Sequence, residues 1–190
     1  MTLLDARRTQ PLEGGASFSL SNRLLRICWG FSWLVLARFT PPQLHTWRRF
    51  ILRAFGAHVG CGARVHGSAK VWLPSNLVLG ERVLIGPGAR IYNQGNIIIG
   101  AGSVISQRAH LCASTHDIND PHFQLKLRPI AIGENCWVAA EAFVGPGVTM
   151  HDGSVLGARA ALFETAMPDG VYSGNPAVCL KHRQLAQRRD

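Results

Sequence analysis

Charge is scarce in this chain. Asp, Glu, Lys and Arg make up 16% of the 190 residues, against 47% hydrophobic ones. That balance excludes an extended disordered chain and favours a well-buried fold. Cysteine is sparse and unpatterned: Cys28, Cys61, Cys112, Cys136 and Cys179 are odd in number and form no CxxC pair. That usage reads as reduced thiols of a cytosolic protein. Cys61 and Cys136 fall among positions where small, core-tolerant residues are expected. Long apolar runs are missing as well. The stretch 27–37 is 11 residues long and bracketed by Arg26 and Arg38, well short of the roughly 20 residues that span a bilayer. The first 16 residues are polar and lack the apolar segment of a signal peptide. A cytoplasmic location is therefore expected.

Acids are outnumbered, and the imbalance is confined to the ends. Residues 1–58 hold eight Lys/Arg and two acids, residues 59–180 eight of each, and residues 181–190 four Lys/Arg and one acid. A nucleic-acid-binding domain carries its charge on the fold itself, so no nucleic-acid partner is expected. Basic ends suit a membrane surface, a partner or a phosphorylated ligand.

The length suits one domain with small end pieces. Residues 1–17 read as a flexible arm. Residues 18–56 read as a helical hairpin: Ser19 or Ser21 caps a helix running to about residue 39, and Pro41 and Pro42 stop it. A second helix over 43–55 puts Trp47, Phe50, Ile51 and Phe55 on one side and Arg48, Arg49 and Arg53 elsewhere, with Gly56 as its C-terminal cap. Such a hairpin suits a cap on the open end of a solenoid. It also suits an interfacial membrane anchor with an aromatic, arginine-rich face, and the two are compatible.

The strongest pattern is a period of six. Stepping by six gives Val59, Val65, Val71 and Leu77, then Leu79, Ile85, Ile91 and Ile97, then Ile99, Ile105 and Leu111. It resumes at Ile132 and continues through Val138, Val144, Met150, Leu156 and Leu162. All 17 positions are aliphatic, which chance would give with odds on the order of 10⁻¹⁰ before correction for choice of frame. Gly follows many of them (Gly60, Gly80, Gly86, Gly100, Gly133, Gly145, Gly157), where it is expected to supply turn geometry. Two residues before them stands a small residue, such as Ala63, Ala69, Ser75, Ala89, Ser103 or Ala142. A period of six cannot be an α-helix. It fits a short strand plus a turn, three of which close one triangular coil of a parallel β-helix. The 20-residue step from Val59 to Leu79 to Ile99 adds two turn residues to each of those coils.

One coil is interrupted. Ile99 to Ile132 is 33 residues, so residues 114–129 leave the solenoid as an insertion loop, and such excursions are usually functional. His116 stands where the chain departs. Its imidazole is placed to take a proton from a hydroxyl attacking a thioester, or simply to hydrogen-bond the loop backbone. His110 and His122 flank it at six residues each, but six residues is one side of the triangle, so His110 is not expected to share its site. No metal is expected.

From Ile91 on, the chain resembles the hexapeptide-repeat acyltransferases, in the branch of colanic-acid-biosynthesis type acetyltransferases, relatives of the galactoside, maltose and nodulation-factor O-acetyltransferases. The likeness is carried by Ile91-Tyr92-Asn93, Val104-Ile105-Ser106, Ser114-Thr115-His116-Asp117, Pro129-Ile130, Trp137, 142–148 and Gly174-Asn175-Pro176-Ala177. The helical pair, notably 44–50, is similar too. The resemblance implies a mainly β chain: a left-handed parallel β-helix over 57–165, with the helical hairpin before it and, in the 166–190 extension, a short helical basic tail. Left-handedness rests on the resemblance alone, because parallel crossovers are otherwise right-handed.

It further implies a homotrimer with active sites between neighbouring solenoids, acetyl-CoA as co-substrate, and a sugar hydroxyl in surface polysaccharide synthesis as acceptor. His116 matches the general base. Asn93, Asp117 and Trp137 fall by the acceptor. Ala140, Gly157 and Ala158 match the edge along which pantetheine lies, and Asn175 and Pro176 the turn over coenzyme A. Lys181 and Arg183 suit its phosphates. Glu164 departs from the pattern, standing where relatives often carry lysine. Alternatives on the same fold are N-acetylation of an amino sugar, amino acid or antibiotic, metal-dependent hydration of the γ-carbonic-anhydrase kind, and a non-catalytic scaffold. The basic hairpin would suit the inner face of the membrane.

Overall fold

The computed structural model describes residues 3–184. From His58–Val59 onward, strands of two or three residues follow one another at short intervals and stack into three parallel walls. The first wall comprises His58–Val59, Leu77–Leu79, Ile97–Ile99, Ile130–Ile132 and Thr149–Met150. The second holds Arg64–Val65, Leu84–Ile85, Val104–Ile105, Trp137–Val138, Val155–Leu156 and Gly170–Gly174. The third holds Lys70–Val71, Arg90–Tyr92, His110–Cys112, Phe143–Val144 and Ala161–Leu162. Side chains alternate across a strand, so one residue of each pair faces out while its aliphatic neighbour faces in.

The register puts each aliphatic on its equivalent in the next coil: Val59 pairs Leu79, Leu79 pairs Ile99, Ile99 pairs Ile132, and Ile132 pairs Met150. None of the 17 is more than 8% exposed, and each such burial is worth about 1.5–3 kcal/mol. The small residue before each aliphatic is buried at the corners, Cys136 among them, whereas Ser75 is exposed in the 3-10 turn Pro74–Asn76 and Cys61 is exposed in a turn. The glycines after the aliphatics are not there for turn geometry. A β-carbon on Gly100 would lie 2.5 Å from the carbonyl carbon of Gly133 in the next coil, so close stacking of the corners demands glycine. The left-handed turn conformation falls two or three residues later, at Arg82, Asn135, Glu141 and Arg159.

The N-terminal helices are Leu20–Leu36 and His45–Ala54, and they close the open end of the first coil. Inside the solenoid, the carbonyls of Leu79, Val83, Ile85, Ala89 and Ile91 accept from N–H groups of the coil below. Their counterparts in the first coil, Val59, Ala63, Val65, Ala69 and Val71, have no coil below. Arg53, Arg49, Arg48, Trp33 and Trp29 donate to them one by one, the last four at 2.7–3.2 Å. Side-chain donors on the two helices thus stand in for a missing coil. This arrangement also splits the expected apolar side of the second helix: Ile51 is buried with Arg48 and Leu52 and Phe55 packs against the core, while Trp47 and Phe50 are exposed and stack at 5.7 Å.

Two end pieces differ from expectation. Residues 3–17 do not trail free. They carry a one-turn helix, Ala6–Thr9, Leu3 bridges Phe18, and Ala6 N–H donates to Gln124 Oε1 at 2.7 Å. The C-terminal extension is not helical over its described part, because Gly170–Gly174 and Ala177–His182 form an antiparallel pair on the top edge of the second wall. Residues 185–190, the end of the basic tail, lie outside the described residues.

Candidate active site

Every irregularity in coil length falls at one corner, between the third wall and the first. The lower coils turn there through 72–76 and 93–96, and the next coil leaves the solenoid at the same place. Asn93 locks this corner from inside. Its Oδ1 accepts from the N–H groups of Trp72 and Leu73, its Nδ2 donates to the Leu73 carbonyl at 2.6 Å, and it is wholly buried. That is a correction to its expected place by the acceptor: its amide is spent on the turn beneath. On either side of Asn93, Tyr92 is exposed and Gln94 is buried, and Gln94 Nε2 donates to the Tyr92 hydroxyl at 2.8 Å. Gln94 Oε1 is buried without a partner among the described residues.

The excursion is a hairpin rather than an open loop. Ser114–His116 pairs antiparallel with Leu125–Leu127, and Arg128 N–H closes the neck on the Ala113 carbonyl at 2.9 Å. His116 ends the outgoing strand, exposed, with Nδ1 2.7 Å from the Phe123 carbonyl oxygen. With the Nδ1–H donating there, Nε2 is the basic nitrogen of the ring. Phe123 holds this carbonyl in place with φ +51, a conformation bulky residues rarely adopt, and its ring lies 6.1 Å from the imidazole.

Asp117 is not the orienting group. Its carboxylate takes Lys126 at 2.7 Å across the hairpin and the N–H of Asn119 at the tip. The hydrogen bond from Lys126 holds it below the usual carboxylate range. Asp117 therefore acts on the shape of the hairpin rather than on the ring.

His116 opens on a cleft of about 440 Å³ between the hairpin, the third wall and the N-terminal segment. Its walls include Thr115, Cys112, Tyr92, Trp72, Phe18 and Arg26. Burial pushes the Tyr92 hydroxyl above its usual range, with Cys112 adding to the effect. His110 is not part of this cleft. It packs edge-on to Tyr92 and Phe143 on the third wall, as its spacing predicts, and burial lowers its pKa.

The remaining expected site residues lie elsewhere on the chain. Trp137 faces out from the second wall, half-exposed, its Nε1 donating to Ser106 Oγ at 2.9 Å. Ala140, Gly157 and Ala158 follow at the corner between the second and third walls. Gly157 is packed so that a β-carbon would come within 3.2 Å of Ser173 Oγ and the Tyr172 carbonyl oxygen, while Ala158 is exposed. No side chain at these three positions extends past a β-carbon, so the corner is low, although the Gly157 N–H is already given to the Tyr172 carbonyl at 2.8 Å and the Ala140 carbonyl accepts from Arg159 N–H at 2.9 Å. Beside them Glu141 joins Arg108 and Arg159 at 3.0 and 2.8 Å, and the Arg159 contact leads in holding its carboxyl below the usual range.

Asn175 and Pro176 sit at the turn of the C-terminal hairpin, at the same end of the second wall, whereas Lys181 is near the far end of its strand. Arg183 is engaged at the opposite corner, donating to the carbonyls of Asn135 and Gly153, so its expected role at the phosphates is corrected to a structural one. Glu164 is exposed just past the last strand of the third wall.

His116 with its aromatic cleft and the low corner flanked by Trp137 thus lie on different corners of the chain. Sequence reasoning missed Arg26, Trp72, Gln94 and the Phe123 carbonyl. Only the aromatic pair Trp72 and Tyr92, 20 residues apart at equivalent positions of adjacent coils, left a readable signal.

No family model matches the chain. It is 41% identical over 159 residues to the colanic acid biosynthesis acetyltransferase WcaF of Escherichia coli K12, covering 84% of this chain and 87% of that protein. Among solved structures, a maltose O-acetyltransferase of Clostridium difficile 630 superposes with a TM-score of 0.80 at 21% identity, covering 88% of this chain and 90% of that one. A hexapeptide-repeat acetyltransferase of Vibrio cholerae O1, complexed with acetyl coenzyme A, superposes with a TM-score of 0.79 at 19% identity over 94% and 98%. An imidazole at the mouth of the excursion, on a β-helix with this degree of kinship, places the chain among the colanic acid biosynthesis acetyltransferases, and it is an acyltransferase of that hexapeptide-repeat family.

Proposed function

We propose that the protein transfers the acetyl group of acetyl-CoA directly to a sugar hydroxyl of a surface-polysaccharide intermediate, with His116 as general base. The observation that supports this reading is the bond from His116 Nδ1 to the Phe123 carbonyl, which leaves Nε2 as the basic nitrogen of a ring that lines a cleft with aromatic walls. In the reaction Nε2 takes the hydroxyl proton as the sugar oxygen bonds the thioester carbonyl carbon. The carbon–sulfur bond breaks, and the imidazolium returns the proton to the departing thiolate. No cysteine or serine nucleophile takes part, so no acyl-enzyme forms.

We further propose a homotrimer in which the cleft of one copy faces the low corner of the next, since the two lie on different corners of a single chain. The low corner of Ala140, Gly157 and Ala158 suits the pantetheine arm, and the turn of Asn175 and Pro176 its distal part. A peripheral contact with the inner face of the membrane fits the outer side of the helix Leu20–Leu36. There Leu24, Ile27, Phe31 and Val35 are exposed, and no helix is long and apolar enough to cross a bilayer among the described residues. The three arginines of the second helix serve the cap, so this contact rests on the apolar side chains and on Arg23.

The test is acetyl-CoA turnover against a panel of sugars, alongside His116→Ala. Loss of the base lowers turnover by roughly 10²–10⁴-fold. A folded His116→Ala that binds coenzyme A and keeps full turnover would falsify the assignment.

A further inference from the structure

The cleft beside His116 shares Trp72, Tyr92 and Cys112 with a neighbouring hollow of about 470 Å³ on the lower third wall. Arg26 stands in the first hollow, and Lys70, Arg90 and His110 line the second. Neither is lined by an acid.

Arg26 is oriented by uncharged partners. Its Nε donates to Asn22 Oδ1 at 3.2 Å, and its guanidinium carbon lies 4.6 Å over the Trp72 ring. These contacts fix the plane of the group while leaving its two terminal nitrogens without a carboxylate partner among the described residues. A preorganised guanidinium fork is suited to a phosphate or carboxylate. Lys70 and Arg90 likewise stand in register on adjacent strands with no carboxylate partner among the described residues. The hollows lie on the coils below His116, whereas the low corner of Ala140 and Gly157 rises on the coils above it. The positive charge is therefore on the acceptor's side, and it is spread over more than one residue.

Resting on the acetyl-transfer reading above, we propose that the acceptor is a sugar carrying a diphosphate. The sugar stacks by Trp72 and Tyr92 with its hydroxyl at His116, and the diphosphate lies along Arg26, Lys70 and Arg90. A single ring carboxylate would engage Arg26 alone. The diphosphate can come from a nucleotide sugar or from a lipid-linked sugar, which share this chemistry.

Two measurements on the full chain test the proposal. In the first, inorganic pyrophosphate is titrated calorimetrically in saturating coenzyme A, so that the coenzyme's own phosphate contacts are already filled. Arg26→Gln and the double variant Lys70→Gln/Arg90→Gln are each expected to bind about tenfold more weakly or worse. Unchanged binding in both variants, or none in the parent, overturns the proposal. In the second, acetyl transfer is compared for one sugar as nucleoside diphosphate, as short-chain polyprenyl diphosphate and as methyl glycoside, with a methyl uronide beside them. One of the diphosphates is expected to lead in kcat/KM, and which one names its source. A methyl glycoside or uronide that does as well overturns the proposal. If no acceptor is acetylated, the acetyl-transfer reading fails, while pyrophosphate binding still decides whether the basic hollow is an anion site.

Discussion

Two inactive variants mixed together should recover activity. His116 lies on the corner between the third and first walls, and Ala158 on the corner between the second and third. If each active site draws its imidazole from one copy and its low corner from the next, damage to the two halves need not coincide. His116→Ala removes the base. Ala158→Trp fills the low corner, and because Ala158 is exposed the larger ring does not overpack the core. Each homo-oligomer is expected to be inactive. In a random one-to-one assembly a site is intact when its imidazole comes from the tryptophan variant and its corner from the alanine variant. That occurs about one time in four in a closed ring with repeated heterologous contacts, so co-refolded mixtures should regain about a quarter of parental turnover per site. Thioester absorbance is the suitable readout, since exposed Cys28, Cys61 and Cys179 would react with thiol reagents. A mixture as inactive as its components, with mixed assemblies verified by mass, would show that both halves are used within one chain and would refute the reasoning.

Arg48→Met should destabilise the fold by roughly 2–4 kcal/mol, read as a lower urea midpoint, because it leaves the buried Val65 carbonyl without its donor and removes the bonds to Thr40, Pro41 and Pro42 at the rim. Arg53→Met, at an exposed position, should cost only about 1 kcal/mol; equal losses would contradict the capping argument. Trp29→Phe keeps the ring but loses the bond to the Val71 carbonyl, and should cost about 1–3 kcal/mol in the same measurement. Thermal stability should also decline as pH falls below about 6.5. Burial leads in lowering His45, His66 and His110 in the fold, so the folded state binds fewer protons than the unfolded one there. The depressed carboxylates of Asp117 and Glu141 act only near their own, lower range. A melting temperature flat from pH 7.5 to 5 would remove the histidine contribution.

The solenoid was legible in the sequence because its physics is periodic: one inward aliphatic per wall writes itself every six residues, and Val59 to Leu162 record it. The glycines were legible as positions but not in their cause, since Gly100 answers to the backbone of Gly133, 33 residues away in sequence. His116 was visible because it breaks a regular pattern. Its partner was not, because a backbone carbonyl belongs to every residue, and only the hairpin's closure brings Phe123 to the ring. Asn93 was read as facing a ligand because its motif draws the eye, while its burial depends on the Trp72–Leu73 turn of the coil below. The arginines of the second helix looked like a surface patch, since nothing local shows that five carbonyls lie beneath that helix and its neighbour wanting donors.

Those five donors carry a consequence for assembly. A stack of identical rungs has no intrinsic length, and bare terminal carbonyls would accept the last rung of another molecule as readily as their own. Arg53, Arg49, Arg48, Trp33 and Trp29 deny that join at the bottom, and the returning strand Ala177–His182 covers the second wall at the top. Chains with a duplicated internal rung should therefore remain discrete particles, whereas chains stripped of the N-terminal helices should grow end to end into fibres.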